Sequence, residues 1–298
     1  MFKGLCAFPL TPLVGESIDL DAVEQLVARA CHAGVQSIGA LGSTGNYAYL
    51  SRAERRQVLQ ISVQAAGTTP VLAGVGALRV RDVLLAVEDA QEVGAKALLL
   101  APMSYQRLTE QEVFELYRHV AEQSSVPVIV YDNPGTTGFT FSDELHARIA
   151  HLDHVTGVKI PPPARGTAVE RITDLRALLP VEHSIGISGD WMAAEALSAG
   201  CDVWYSAIAG VLPAWALELT QRALSNENSA AQHASARLDE VWELFRSHGS
   251  LRVVSALAEE LRLISQDTLP LPLQGVDEAT RTVLRSAMER AGLFDEAS

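Results

Sequence analysis

Short apolar runs alternate with longer amphipathic stretches about eight times in roughly the first 220 residues of this 298-residue chain. The runs, among them "SIGAL", "PVLAGV", "KALLLAP", "PVIVYD" and "VTGVKI", are continuously apolar instead of alternating. That is the pattern of parallel strands covered by helices, because parallel neighbours need a long crossover between them. The intervening stretches, such as "DLDAVEQLVARACHAG" and "TEQEVFELYRHVAEQ", have a helical period. Ser51 with Glu54 and Thr109 with Glu112 fit capping boxes, and Gly34, Gly94 and Gly200 fall where helices should stop. Eight such units predict a (β/α)8 TIM barrel over residues 1–224; a doubly wound open sheet is the competing α/β answer. "LSNENSAAQH" reads as a polar linker, and only helical patterns follow it. Residues 225–298 are therefore expected to form a C-terminal helical appendage.

Composition removes several classes of function. A net charge of −13 argues against a nucleic-acid partner, which would need a basic face. No stretch approaches the roughly 20 apolar residues of a membrane span. The start, "MFKGLCAFPLTPL", lacks the charged flank and cleavage site of a signal peptide, so a soluble cytoplasmic protein is expected. Cys6, Cys31 and Cys201 are odd in number and widely spaced, which suits reduced thiols. His151 and His154 are close, but nothing nearby suggests a third metal ligand. "GSTG" at 42–45 lacks the lysine of a phosphate loop, and "GVG" at 74–76 lacks the third glycine of a dinucleotide fingerprint. No metal or nucleotide cofactor is expected.

The chain has only three lysines, Lys3, Lys96 and Lys159, among 23 basic residues. In a barrel, the ends of the strands converge on one mouth. Lys3 and Lys96 precede strands and fall at the opposite face; Lys159 alone closes one. A neutral amine there can attack a ketone to form an imine, which a guanidinium cannot do. Holding an ordinary lysine amine neutral at pH 7 costs about 4.6 kcal/mol, and apolar neighbours such as Val155, Val158 and Ile160 reduce that cost. A salt-bridging or phosphate-binding lysine is the plainer alternative. Tyr131 ends the preceding strand, "VPVIVY", where a phenol can move protons or merely reach water. Ser43 and Thr44 add two hydroxyls and loop amides, an arrangement suited to a small carboxylate.

"GSTGN", "YDNPGTTG", "GVKI" and "SGDW", in this order and spacing, resemble the pyruvate-dependent class I aldolase family of dihydrodipicolinate synthase and N-acetylneuraminate lyase. The resemblance runs from "FPLTP" to the C-terminal helices. It implies a Schiff base between Lys159 and a 2-oxo acid, usually pyruvate, with no other cofactor. Tyr131 would donate and accept protons, Ser43 would join it in a hydroxyl relay, and Thr44 would hold the oxo acid's carboxylate. Tyr205 falls on a pyruvate-contacting position where an aliphatic residue is more usual. Many members complete the relay with a neighbouring subunit's tyrosine; Tyr105 is the candidate, displaced by about one residue. A homotetramer, a dimer of dimers, is the implied assembly.

The departures concern the second substrate, an aldehyde. Members that use aspartate semialdehyde usually carry an arginine after the catalytic tyrosine, where this chain has Thr136. A threonine offers one neutral donor in place of a paired, charge-assisted contact. The expected partner is therefore an aldehyde other than the semialdehyde, unless Arg165 in the next loop compensates. The acidic group that often follows the Schiff-base lysine is replaced by Ile160. A true dihydrodipicolinate synthase is the second enzymatic reading, and a non-catalytic barrel that binds an oxo acid is the reading from another class.

Overall fold

The structure, a computed structural model, describes residues 2–294. The last four residues of the expected helical appendage lie outside the described residues. The chain opens with β1 (Gly4–Ala7), a small hairpin of β2 (Leu13–Val14) and β3 (Ser17–Ile18), and α1 (Leu20–Ala33). Next come β4 (Ser37–Ala40), α2 (Arg52–Ala66), β5 (Val71–Gly74), α3 (Val80–Val93), β6 (Ala97–Leu100), α4 (Glu110–Gln123) and β7 (Val128–Tyr131). A single turn, α5 (Pro134–Thr137), precedes α6 (Asp143–Ala150), β8 (Val155–Ile160), α7 (Ala168–Leu178), β9 (Ser184–Ile187), α8 (Ala193–Ser198), β10 (Val203–Ser206) and α9 (Pro213–Leu224). Four helices follow: α10 (Asn228–Ala236), α11 (Asp239–His248), α12 (Ser250–Glu260) and α13 (Glu278–Ala291). None of the described helices is long and apolar enough to cross a membrane.

β1 and β4 to β10 run parallel, pair in chain order and close through β1 and β4 into an eight-stranded TIM barrel. The open-sheet alternative is excluded by that closure. Helix boundaries follow local chemistry. Both capping boxes form, at Ser51–Glu54 and Thr109–Glu112, and Gly34 and Gly94 end α1 and α3 in the left-handed conformation. The hairpin β2–β3 and the single turn α5 are too short to leave a periodic signal.

Strand register sets the site. Inside the barrel, Ile129 and Tyr131 point inward from β7, while Leu72, Leu99, Val203 and Tyr205 join them from other strands. Tyr131 pairs directly with Lys159 on β8, and Lys159 with Gly186 on β9. Side chains of equal register on neighbouring strands share a level, so the phenol and the amine are placed side by side. Small residues make the room. A Cβ on Gly39 or Gly42 would come within 2.3 or 2.4 Å of the Phe8 ring, and one on Gly186 within 2.2 Å of the Tyr205 ring.

"LSNENSAAQH", expected as a linker, is instead mostly helix α10. Its polar surface conceals a small apolar contact: Ala231 and Ser235 are buried as α10 packs on α8 and α9. Tertiary packing overrides a weak local signal here. Trp242 of α11 donates its indole N–H to the Ser235 carbonyl at 2.9 Å, tying α10 to the helices after it.

Gly186→Ala should cost about 1–3 kcal/mol of stability, the usual range for overpacking a full core. Adding Tyr205→Ile should recover part of that loss, because the ring is what occupies the space. Chemical denaturation of the two single variants and the double variant measures the coupling.

Candidate active site

Lys159 is 4% exposed at the barrel mouth. Its Nζ lies 4.1 Å from the ring centroids of both Phe8 and Tyr131 and 5.5 Å from that of Tyr205. The amine makes no ion pair among the described residues. Three ring faces thus stand where a buried lysine ordinarily has a carboxylate.

The Tyr131 hydroxyl lies 3.3 Å from Ser43 Oγ and accepts a hydrogen bond of 2.9 Å from Asn133 Nδ2. Ser43 and Thr44 occupy the loop between β4 and α2, bracketed by Leu41 and Asn46, both at φ 57°. Left-handed backbone at two non-glycine residues is uncommon and shapes this turn. Asn46 is fixed by its side-chain amide, which donates to the Thr11 carbonyl at 3.1 Å. The Ser43 and Thr44 amides donate to no group among the described residues, and both residues line the cavity above Lys159. Free amides beside hydroxyls form a seat for an anion.

That cavity measures about 680 Å³. It brings together Lys159, Tyr131, Ser43, Thr44, Tyr205 and Thr136 of the residues expected from sequence. Tyr205 contributes its ring, since the residue is 2% exposed and its hydroxyl is buried toward Ser184. Thr136 is exposed on α5, with nothing cationic supplied by that turn. Arg165 is exposed in the loop after β8 and does not line the cavity. Tyr105 does not join the cluster within the chain. It is 94% exposed, and its neighbours Met103 and Ser104 line the cavity instead. The turn after β6 directs the ring outward, so a relay role for Tyr105 requires a second copy.

Many lining residues were not singled out in the sequence, among them Phe8, Tyr47, Asn133, Asp190 and Arg252. Asn133 lies within "YDNPG" and Asp190 within "SGDW", so motif membership was their available signal. Asp190 is 2% exposed; it accepts from Trp204 Nε1 at 2.8 Å and from the Ile208 and Ala207 amides at 2.8 and 3.3 Å. Burial pushes its carboxyl up against the pull of those donors. Among the described residues no cluster of His, Cys, Asp or Glu could hold a metal ion.

An amine in an apolar cage, a phenol in register with it and free loop amides thus stand together at the barrel mouth. The chain matches the Dihydrodipicolinate synthetase family over residues 1–291. The chain belongs to that family. It is 31% identical over 297 residues to the 4-hydroxy-tetrahydrodipicolinate synthase of Methylococcus capsulatus, covering 99% of this chain and all of the relative. A dihydrodipicolinate synthase structure from Agrobacterium tumefaciens superposes with a TM-score of 0.94 at 40% identity, over 97% of this chain and 98% of the other. The Acinetobacter baumannii dihydrodipicolinate synthase, solved with pyruvate, gives a TM-score of 0.91 at 26% identity, over 98% and 99%. As a dihydrodipicolinate synthetase family member the chain is a lyase of the pyruvate-dependent class I aldolase type.

Behind the phenol of this synthetase-family site lies a buried acid–histidine pair. Asp132 is 4% and His146 1% exposed, and His146 Nε2 stands 3.5 Å from Asp132 Oδ2. The Phe141 ring stacks flat on the imidazole at 5.0 Å. The Asp132 amide donates to the Lys159 carbonyl at 3.0 Å, so the pair buttresses the β7–β8 ends. Burial pushes the Asp132 carboxyl up to about 7, with Arg171 pulling it down and Asp143 pushing it up. Burial also lowers the His146 imidazole to about 4.

A carboxyl raised on folding binds its proton more tightly in the native state, so its contribution to stability is lost as pH rises toward the folded value. Asp132→Asn, neutral throughout, should therefore gain stability relative to wild type between about pH 4 and pH 7 and stay level above. Urea denaturation across that range tests it. A constant difference between the two proteins would mean that Asp132 is ionised throughout.

Proposed function

We propose that this chain is an aldolase in which Lys159 forms an imine with pyruvate or a related 2-oxo acid and makes or breaks a bond at the adjacent carbon. The single observation behind this reading is the Lys159 amine seated among Phe8, Tyr131 and Tyr205, with no ion pair among the described residues. The amine attacks the ketone carbon, and water leaves to give an iminium. Loss of a proton from the neighbouring carbon yields an enamine, which adds to an aldehyde. Tyr131 delivers a proton to the alkoxide that forms, and water then releases product and regenerates the amine. Cleavage follows the same steps in reverse. The oxo acid's carboxylate would sit on the Ser43 and Thr44 amides, and Ser43 would return protons to Tyr131 across their 3.3 Å contact.

Tyr105, exposed in the single chain, fits a contact with a neighbouring subunit's cavity in a homotetramer, and a cytoplasmic setting suits a pyruvate-consuming enzyme. A second reading, synthesis of 4-hydroxy-tetrahydrodipicolinate from pyruvate and aspartate semialdehyde, is favoured by the names of the relatives. Thr136 weighs against it, because the α5 turn offers the semialdehyde's carboxylate no cation.

Incubation with pyruvate and borohydride should add mass at Lys159 and at neither Lys3 nor Lys96. Lys159→Arg should abolish both trapping and turnover; trapping that persists in that variant would refute the assignment. Tyr131→Phe should keep binding the oxo acid and lose turnover by about 10² or more, the scale of a proton-transfer group. Pyruvate uptake or release with a panel of aldehydes separates the two readings, and the response to aspartate semialdehyde is expected to be weak unless another wall of the cavity supplies its carboxylate with a cation. Efficient condensation with it would establish the synthase.

A further inference from the structure

The wall of the cavity opposite the strand ends comes from the C-terminal helices. Gly249, Ser250, Leu251 and Arg252, at the junction of α11 and α12, line it together with Phe245 and Arg246. This wall is tied to the barrel by aromatic contacts. Trp204 of β10 packs edge-on against Trp215 of α9 at 6.3 Å, Trp215 lies 5.9 Å from Trp242 of α11, and Trp242 lies 5.3 Å from Phe245. A continuous aromatic contact therefore runs from the barrel to the residue beside Arg246.

Apart from Lys159, only Arg246 and Arg252 bring basic side chains to the described lining, and only Asp190 an acidic one. The two arginines differ. Arg246 is paired with Glu243 on its own helix at 2.6 Å. Arg252 donates Nε to the Gln274 carbonyl at 3.0 Å and has no ion pair among the described residues. The carbonyl fixes the plane of the guanidinium and leaves both terminal nitrogens for another acceptor, in the forked geometry that suits a carboxylate or phosphate. Asp190 does not compensate, since its oxygens are engaged by the Trp204 indole and two amides. An unpaired, oriented guanidinium on the wall of a reaction cavity is arranged for an anion.

Pyruvate accounts for little of the space. It has six heavy atoms, and its carboxylate has a seat at Ser43 and Thr44, on the barrel side. The about 680 Å³ cavity leaves a further volume between Lys159 and the α11–α12 junction. We propose that Arg252 is a specificity-determining residue that binds an anionic group at the far end of the second substrate, so that the partner of the oxo acid is an aldehyde bearing a carboxylate or phosphate. Read in the cleavage direction, the substrate is a 4-hydroxy-2-oxo acid carrying a second anionic group. The inference rests on the aldolase reading above, and it places the missing cation on α12 instead of at Thr136 or Arg165.

The experiment compares pyruvate release from 4-hydroxy-2-oxo acids of equal length that end in a hydroxymethyl group, a carboxylate or a phosphate. Wild type should favour at least one anionic arm over the neutral arm by roughly 10- to 100-fold in kcat/KM, the scale of one charge-assisted contact. The better anionic arm identifies which group is bound. Arg252→Gln should erase most of that preference, chiefly through KM, while Arg252→Lys should keep part of it. The preference should shrink as salt is raised, which a purely structural effect of the substitution would not produce. Borohydride trapping of pyruvate on wild type, measured in parallel, keeps the two readings apart. If wild type traps pyruvate but shows no anionic preference, or keeps that preference in Arg252→Gln, the role of Arg252 is overturned and the aldolase reading stands. If wild type traps no pyruvate, both are overturned.

Discussion

Everything at the barrel mouth depends on how the Lys159 amine is surrounded. A carboxylate in contact would hold it as an ammonium ion, since a buried pair is strongly attractive and neither partner is easily left alone. Ring faces act differently. They give the nitrogen no fixed acceptor, so it is left to face the cavity. The same faces would remain in place for the positive charge of the proposed iminium. The cage explains several features that otherwise look unrelated. Gly39 and Gly42 admit the Phe8 ring, Gly186 admits the Tyr205 ring, and Asp190 stands near the amine but is taken up by three donors of its own.

Much of this was legible in the sequence, for identifiable reasons. Continuously apolar strand runs with capped helices between them give the barrel its period, and the scarcity of lysine singles out Lys159. Tyr131, Ser43 and Thr44 follow from their places at strand ends. Phe8 was not legible: it reads as one more apolar residue in "GLCAFPL", and its part in the cage appears only when β1 closes on its neighbours. Tyr47 is similar. It reaches the cavity from the turn before α2, with Arg55 lying 5.6 Å above its ring. Helix α10 was misread because two small buried residues, Ala231 and Ser235, give no amphipathic signal. Arg252 was hidden for a different reason. Nothing near it in the chain marks a site, and its position depends on contacts between helices distant in sequence.

The buried pair behind Tyr131 shows how the barrel supports its mouth. Asp132 and His146 put polar atoms where apolar packing would be simpler, and the Asp132 amide joins β7 to β8 at the level of the reacting groups. Burial raises the Asp132 carboxyl and lowers the His146 imidazole, so each group favours its uncharged form while the segment braces both strand ends. In its uncharged form that brace adds little field at the barrel mouth, where the proposed chemistry moves positive charge.

The site thus divides into parts with different physical origins. The amine and its phenol are fixed by strand register, and moving either would require a shift in the barrel itself. The amide seat is fixed by two left-handed residues in one loop. The outer wall is attached through the Trp204–Trp215–Trp242 contact and stands on helices that make no strand pairing. A change of side chain on that wall leaves the amine, its ring cage and the proton path untouched, so the identity of the second substrate can vary while the chemistry is kept. An arginine at Thr136 would not be independent in this way. It would stand five residues after Tyr131, on the turn that follows directly from the phenol's strand, and would place charge close to that phenol. Put on α12 instead, the cation meets the far end of a substrate and leaves the reacting end to the barrel.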